Sequence, residues 1–351
     1  MHAVLFALMT ILTVLWVAIR RLFRGPLHPG WSYRYEAIAE ILRKANERGL
    51  ELPVATMRRS MLDARIHPRV SRSLLHERTT FAGLPAETFT VTGWTEADPT
   101  ILYFHGGGYV VCSPATHRDL VSRIALASGA RAIAVDYRKA PEFPFPAPVD
   151  DAETAYRALL DAGTPPERIV VGGDSAGGGL ALALLQRIKG SELPMPRAGI
   201  LLSPWVDLEC GGDSIAKNAR YDYLPVRGLS WGAEQYLQGE DRRHPHASAV
   251  HADLAGLPPL LIQTGSAELF LSENERLAER AKEAGVDVTH EIDEGMIHVY
   301  QAFASFVPEV DRAIQRIGAF VQKHAARTVP ESLAPESEEN APTHDAATSP
   351  A

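Results

Sequence analysis

Residues 169–189, IVVGGDSAGGGLALALLQRIK, constrain this chain more than any other stretch. A β-branched run enters Gly173, Asp174, Ser175, Ala176 and Gly177, a G-x-S-x-G, and leaves at once into an apolar helix. Strand, sharp turn and helix in that order expose a serine at the top of a sheet. Glycines two residues either side relieve crowding in the turn, and the helix start supplies backbone N–H groups and a positive dipole. Ser175 is therefore the candidate nucleophile. Nucleotide binding fits poorly: there is no G-x-x-x-x-G-K-[ST], and Ser175 stands where G-x-G-x-x-G needs its second glycine.

A second motif is ILYFHGGGYV, in which His105, Gly106, Gly107 and Gly108 follow a buried-type strand. Three consecutive glycines cost chain entropy, so they belong where backbone must approach a ligand closely. Their N–H groups, with that of Ala176, are placed to surround the oxyanion of a tetrahedral intermediate. His105 reads as a loop organiser, because the proton carrier has to reach Ser175. That carrier is expected after the last strand, where DEGMIHVYQAF presents His298. The acid of a Ser, acid, His order then falls in LLIQTGSAELFLSE, with Glu268 first, Glu273 second and Asp293 third.

Around these motifs, β-branched runs at 88–92, 101–104, 132–135, 169–171, 199–202, 260–264 and 286–292 alternate with helical stretches. The alternation predicts an α/β chain with a mostly parallel sheet covered by helices on both faces. From Trp31 to about Arg78 the pattern is helical, including 57–66. Residues 207–256 break the rhythm and read as an insertion over the sheet's C-terminal edge.

The motifs HGGGY, VDYRKAPEFPFPAPVDD, GDSAGG, SPWVDL and GMIH together resemble the hormone-sensitive-lipase-like branch of the α/β hydrolases, over residues 101–303. That resemblance implies an α/β-hydrolase fold, a cap built from the N-terminal helices and the later insertion, no cofactor, and hydrolysis of short to medium acyl esters. It assigns Ser175 as nucleophile, His298 as base, and Gly106, Gly107 and Ala176 as oxyanion donors. The family often has Asp-Pro in its acid motif; this chain has Glu268 followed by Leu269. A lactone hydrolase or amidase with the same site, and a ligand-binding homologue without catalysis, are the alternatives; a complete triad argues against the last.

Tyr109, Trp205 and Leu269 adjoin motif positions and are candidates to line the substrate pocket. Arg138 and Asp150 are expected to brace the loop beneath the site, and Asp207 to fix the chain after SPW. His244, His246 and His251 read as a surface loop, so no metal is expected.

The N-terminus adds a different expectation. Residues 3–19 are apolar without charge or proline and run into Arg20, Arg21 and Arg24. As a helix the run reaches ~26 Å, just short of the ~30 Å hydrocarbon core. The sequence thus predicts a single membrane anchor over 1–24, with the positive cluster placing the catalytic body on the cytoplasmic side. A helical cap segment at 25–80, a catalytic domain at 81–325 and a disordered acidic tail at 326–351 complete the expected organisation. The formal charge of −8 owes much to the stretch after Arg327, which holds Glu331, Glu336, Glu338, Glu339 and Asp345 and no Lys or Arg. Without a basic stripe the chain is not a nucleic-acid binder. Cys112 and Cys210, far apart in sequence, form neither a disulfide framework nor a zinc knuckle.

Overall fold

The computed structural model describes residues 2–63, 71, 73–305, 307 and 310–325. The tail expected at 326–351, and the part of the expected helix beyond 63, lie outside the described residues.

Among the described residues one eight-stranded sheet organises the fold, in the order β1-β2-β4-β3-β5-β6-β7-β8. Its members are β1 (Leu74–Phe81), β2 (Leu84–Val91), β3 (Thr100–Phe104), β4 (Arg131–Val135), β5 (Ile169–Asp174), β6 (Ala198–Leu202), β7 (Leu260–Gly265) and β8 (Val288–Asp293). From β4 through β3 to β8 all pairs are parallel; β1 and β2 run antiparallel at one edge. Strands β3, β5, β6 and β7 are buried along their whole length, which is why they read as continuous apolar runs. Alternate residues feed two cores. Leu102, Phe104, Ile133 and Val171 face α5 (Ala147–Asp161) and α6 (Ala176–Lys189). Ile101, Tyr103, Ala132 and Val170 face α4 (Arg118–Ser128) and α10 (Asp311–Ala325). Every parallel strand thus ends at the same edge, where the loops after β3, β5, β6, β7 and β8 meet.

All seven expected strands occur, the first beginning earlier, at Leu84. The helical reading up to Arg78 is wrong at its end: Leu74–Phe81 is a strand. It pairs with β2 through a hairpin whose two turn residues, Ala82 and Gly83, both have positive φ, of 54° and 78°. As an edge strand with His76, Glu77 and Arg78 in its middle, it carries no apolar alternation for a sequence reading to detect.

The membrane anchor is also corrected. Among the described residues no helix is long and apolar enough to cross a membrane. The apolar run does form a helix, α1 (His2–Arg24), but α1 folds back along α2 (Tyr33–Gly49). Met9, Thr13 and Val17 are buried there, and Lys44 of α2 donates to Thr13 Oγ1 at 3.2 Å. Arg20 and Arg21 turn inward to the buried carboxylate of Glu36 instead of marking a cytoplasmic flank. One stripe is therefore committed to packing; Leu12, Leu15, Ile19, Leu22 and Phe23 remain exposed on the other side. The spanning anchor, and the cytoplasmic orientation inferred from its arginines, are thereby withdrawn.

The segment 207–256 contains α7 (Asp213–Asn218) and α8 (Val226–Leu237) and no strand. It lies against α2: Arg43 donates to the carbonyls of Arg220 and Asp222, and Arg227 donates to that of Glu47.

Candidate active site

Ser175 stands between β5 and α6 with φ 52° and ψ −123°, a backbone conformation that side-chain-bearing residues rarely adopt. The surroundings over-determine it. Ser175 N–H donates to Leu202 O at 2.8 Å, and its carbonyl accepts from Trp205 N at 2.9 Å and Gly179 N at 3.1 Å. The flanking glycines are obligatory for a steric reason. A Cβ on Gly173 would lie 2.5 Å from Phe104 O, and one on Gly177 only 2.0 Å from it. The serine turn and the end of β3 are thus pressed backbone to backbone.

That contact carries the glycine loop to the serine. A Cβ on Gly106 would meet Asp174 Oδ2 at 2.3 Å and Ser175 Cβ at 3.1 Å. Gly107 has φ +115° and faces Val111 O, so it tolerates no side chain either. Ala176, buried at the first turn of α6, completes the group of expected oxyanion donors. His105 does organise this loop: its ring stacks on Tyr137, its Nδ1 lies 2.7 Å from Gly106 O, and Tyr137 Oη donates to its carbonyl. Beneath the serine, Asp174 accepts from Tyr103 Oη at 2.8 Å and faces His117 Nε2 at 3.1 Å. Burial would raise the Asp174 carboxyl, but the His117 imidazole and the Tyr103 hydroxyl bring it below its ordinary range.

His298 and Glu268 come from the loops after β8 and β7. His298 Nδ1 lies 3.9 Å from Glu268 Oε1, and both side chains are sealed from solvent, at 2% and 0%. Ser203 ties this pair to the serine strand. It donates to Glu268 Oε2 at 2.7 Å and accepts Val299 N–H at 3.0 Å. Gly265 N donates to the same Oε2 at 2.8 Å, so one oxygen of Glu268 is fixed and the other is turned to the imidazole. Asn274 Nδ2 approaches that second oxygen at 3.5 Å. The other two acid candidates are elsewhere. Glu273 is buried near Asp207, and burial followed by that neighbouring charge pushes its carboxyl up to about 8. Asp293 accepts from Tyr300 Oη and Arg316.

The three pocket candidates are buried beside this arrangement. Tyr109 stacks on Tyr236 of α8 at 3.8 Å between centroids, Trp205 stacks on Phe270 at 6.0 Å, and Phe270 stands edge-on to His298 at 5.1 Å. Leu269 is fully buried and uses its N–H on Asp222.

Two supporting expectations resolve differently. Arg138 pairs with Asp151, while Asp150 pairs with Arg187 one helix away. Asp207 does hold the chain after SPW, accepting Glu209 N at 2.9 Å and Arg276. His251 joins Asp207 and Glu209 with ligand atoms within 4.8 Å of one another. Arg276 and Arg243 already neutralise those two carboxylates, which disfavours a cation there. Sequence reasoning missed Ser203, Asn274, Asn218 and Asp222. For Ser203 the signal was its place directly after β6, the strand beside the serine strand.

Comparison with known proteins agrees with this geometry. Residues 101–302 match the family model described as alpha/beta hydrolase fold. An acetyl-hydrolase of Streptomyces hygroscopicus is 47% identical over 64% of this chain and 75% of its own length. The crystal structure of EstE5 soaked with p-nitrophenyl butyrate is 44% identical at TM-score 0.77, covering 82% of this chain and 97% of that one. An esterase described as belonging to the bacterial hormone-sensitive lipase family is 41% identical at TM-score 0.77, covering 85% of this chain and all of that one (100%). A parallel sheet whose strand ends converge on a glycine-forced serine turn, shared at this identity with those esterases, places the chain in the α/β-hydrolase family, in its hormone-sensitive-lipase-like branch.

Proposed function

We propose that Ser175 is the nucleophile, His298 the general base and Glu268 the acid of a triad that hydrolyses short-acyl carboxylic esters. The chain is a carboxylic ester hydrolase of the serine carboxylesterase kind, as its relatives are. The observation that carries the residue assignment is the backbone crossing at Gly173, Gly177 and Phe104, which brings Gly106 against Ser175. No packing requirement of a plain α/β sheet calls for four glycines and a serine at positive φ in one crossing.

Chemically, His298 takes the hydroxyl proton as Ser175 attacks the ester carbonyl, and Glu268 stabilises the resulting imidazolium. The N–H groups of Gly106, Gly107 and Ala176 receive the oxyanion. Collapse expels the alcohol, protonated by His298, and leaves an acyl-serine; water activated by the same histidine then releases the acid. The helices α2 and α3 (Val54–Asp63), with the segment 207–256, act as the cap, and Tyr109, Trp205 and Leu269 line the acyl side. A short acyl group suits this wall, because Tyr109, Trp205, Tyr236 and Phe270 are buried and stacked on one another.

A graded series of p-nitrophenyl esters, acetate to decanoate, tests the reading. Turnover should be greatest at two to four acyl carbons and absent in Ser175→Ala. A preference for decanoate would refute the short acyl site, and turnover by folded Ser175→Ala would refute the nucleophile.

A further inference from the structure

Glu268 and His298 sit on separate loops, and 3.9 Å separates the atoms that have to cooperate. A charge-assisted N–H···O bond needs about 2.8 Å. How closely these loops approach depends on what holds them, and Ser203 supplies one tie. A second tie is made by the end of α7 and the turn that follows it.

Asp222, fully buried, holds three backbone N–H groups with its two carboxylate oxygens. Oδ2 accepts Leu269 N at 2.8 Å; Oδ1 accepts Tyr223 N at 2.7 Å and His298 N at 3.3 Å. One turn earlier, Asn218 Nδ2 donates to Ser266 O at 3.1 Å and Glu268 O at 2.8 Å. Asp222 N–H closes back onto Asn218 O at 3.0 Å, so the two residues form one rigid turn. Arg43 of α2 supports that turn by donating Nε to Asp222 O at 3.1 Å. The acid loop is gripped at three main-chain positions around Glu268, and the histidine loop at His298 itself.

We propose that Asn218 and Asp222 are positioning residues for ester hydrolysis: they clip the Glu268 and His298 loops together and so set how the two side chains approach each other. The proposal rests on the reading of Glu268 and His298 as acid and base. Its charge logic follows from the neighbours. Around His298 stand Glu268 from the β7 loop, Asp222 from the inserted segment, Tyr223 with its ring 6.0 Å away, and Tyr35 of α2, whose hydroxyl accepts Ile297 N. Both carboxylates favour the imidazolium that forms during attack, and no cation in that group opposes them. An asparagine at 222 has the shape of the aspartate but presents an N–H₂ where one of the three donors needs an acceptor. Burial also pushes the Asp222 carboxyl up to about 6, against the pull of His298, so a bare carboxylate here is a cost to the fold.

The test compares Asp222→Asn, Asn218→Ala and Glu268→Gln with the native chain on p-nitrophenyl acetate, with unfolding midpoints and phosphonate titration of active sites. Asp222→Asn should lower kcat by about 10- to 100-fold with KM within about twofold, since misplacement near 1 Å costs on that order. Its unfolding midpoint should stay within a few degrees. Asn218→Ala, which leaves the carboxylate in place, should lower kcat by about 3- to 10-fold at the same KM, and decides the matter if Asp222→Asn does not fold. A native kcat per titrated site in the folded variants would overturn the proposal. If Glu268→Gln is inactive while both clip variants are native, only this inference falls; an active Glu268→Gln overturns the triad reading and this inference together.

Discussion

The two halves of the site are held in opposite ways. On the serine side, position is enforced by exclusion: Gly173, Gly177, Gly106 and Gly107 leave no room for a Cβ, so the backbones of three segments fit in one arrangement. On the histidine side it is enforced by attraction, through Ser203, Asn218 and Asp222, whose hydrogen bonds reach across from β6 and the inserted segment. The steric half cannot shift without breaking the fold. The polar half can move by fractions of an ångström with little loss of stability and a large loss of rate.

Substitutions sharpen that contrast, beginning with the reacting group. Ser175→Ala should fold and lose about 10⁴-fold or more of kcat/KM, read with p-nitrophenyl acetate; a smaller loss places the nucleophile elsewhere. Glu268→Gln should cost about 10²- to 10⁴-fold in kcat with KM nearly native, whereas Asp293→Asn should stay within about threefold. Gly177→Ala should fail on stability first, because its methyl meets Phe104 O at 2.0 Å. A drop of about 5 °C or more in unfolding midpoint is expected, and a fully stable variant would show that the crossing is looser than described. Ser203→Ala should shift the balance toward rate, lowering kcat by about 10-fold with a smaller midpoint drop than Gly177→Ala, because it loses a bond to a carboxylate and one to Val299 but introduces no clash.

Glu273 gives the smallest effect on rate and a pH signature of its own. In an unfolded chain glutamate ionises near pH 4.3. In the fold, burial and Asp207 hold its proton to about pH 8. Folding therefore takes up a proton between those values, and stability falls as pH rises from about 4.3 to about 8. Glu273→Gln should keep activity within about twofold and raise the unfolding midpoint more at pH 9 than at pH 5. Equal shifts at both pH values would remove Glu273 as the source.

The same contrast explains what the sequence made legible. Steric enforcement is written in glycines: IVVGGDSAGG and HGGGY name their positions outright, and with His298 they identified the reaction class and the fold. Polar enforcement leaves no such trace. Asn218 and Asp222 look like any polar residues in a loop, and their role appears only once α7 is folded against Glu268. Glu268 was expected from its place after β7, with Glu273 five residues on in the same stretch, and it is Glu268 whose carboxylate lies 3.9 Å from His298 Nδ1. At the N-terminus the apolar run of α1 was read as a span because hydropathy does not register which side chains a neighbouring helix will cover. Met9, Thr13 and Val17 against α2, with Glu36 receiving two arginines, are tertiary facts.

The most direct measurement is covalent. A fluorophosphonate, which mimics the tetrahedral intermediate, should label the intact chain once, and peptide mass mapping should place the adduct on Ser175. Labelling should slow by about 100-fold or more in His298→Ala, since the hydroxyl then has no base. An adduct on another residue, or Ser175 labelled at the native rate without His298, would contradict the account.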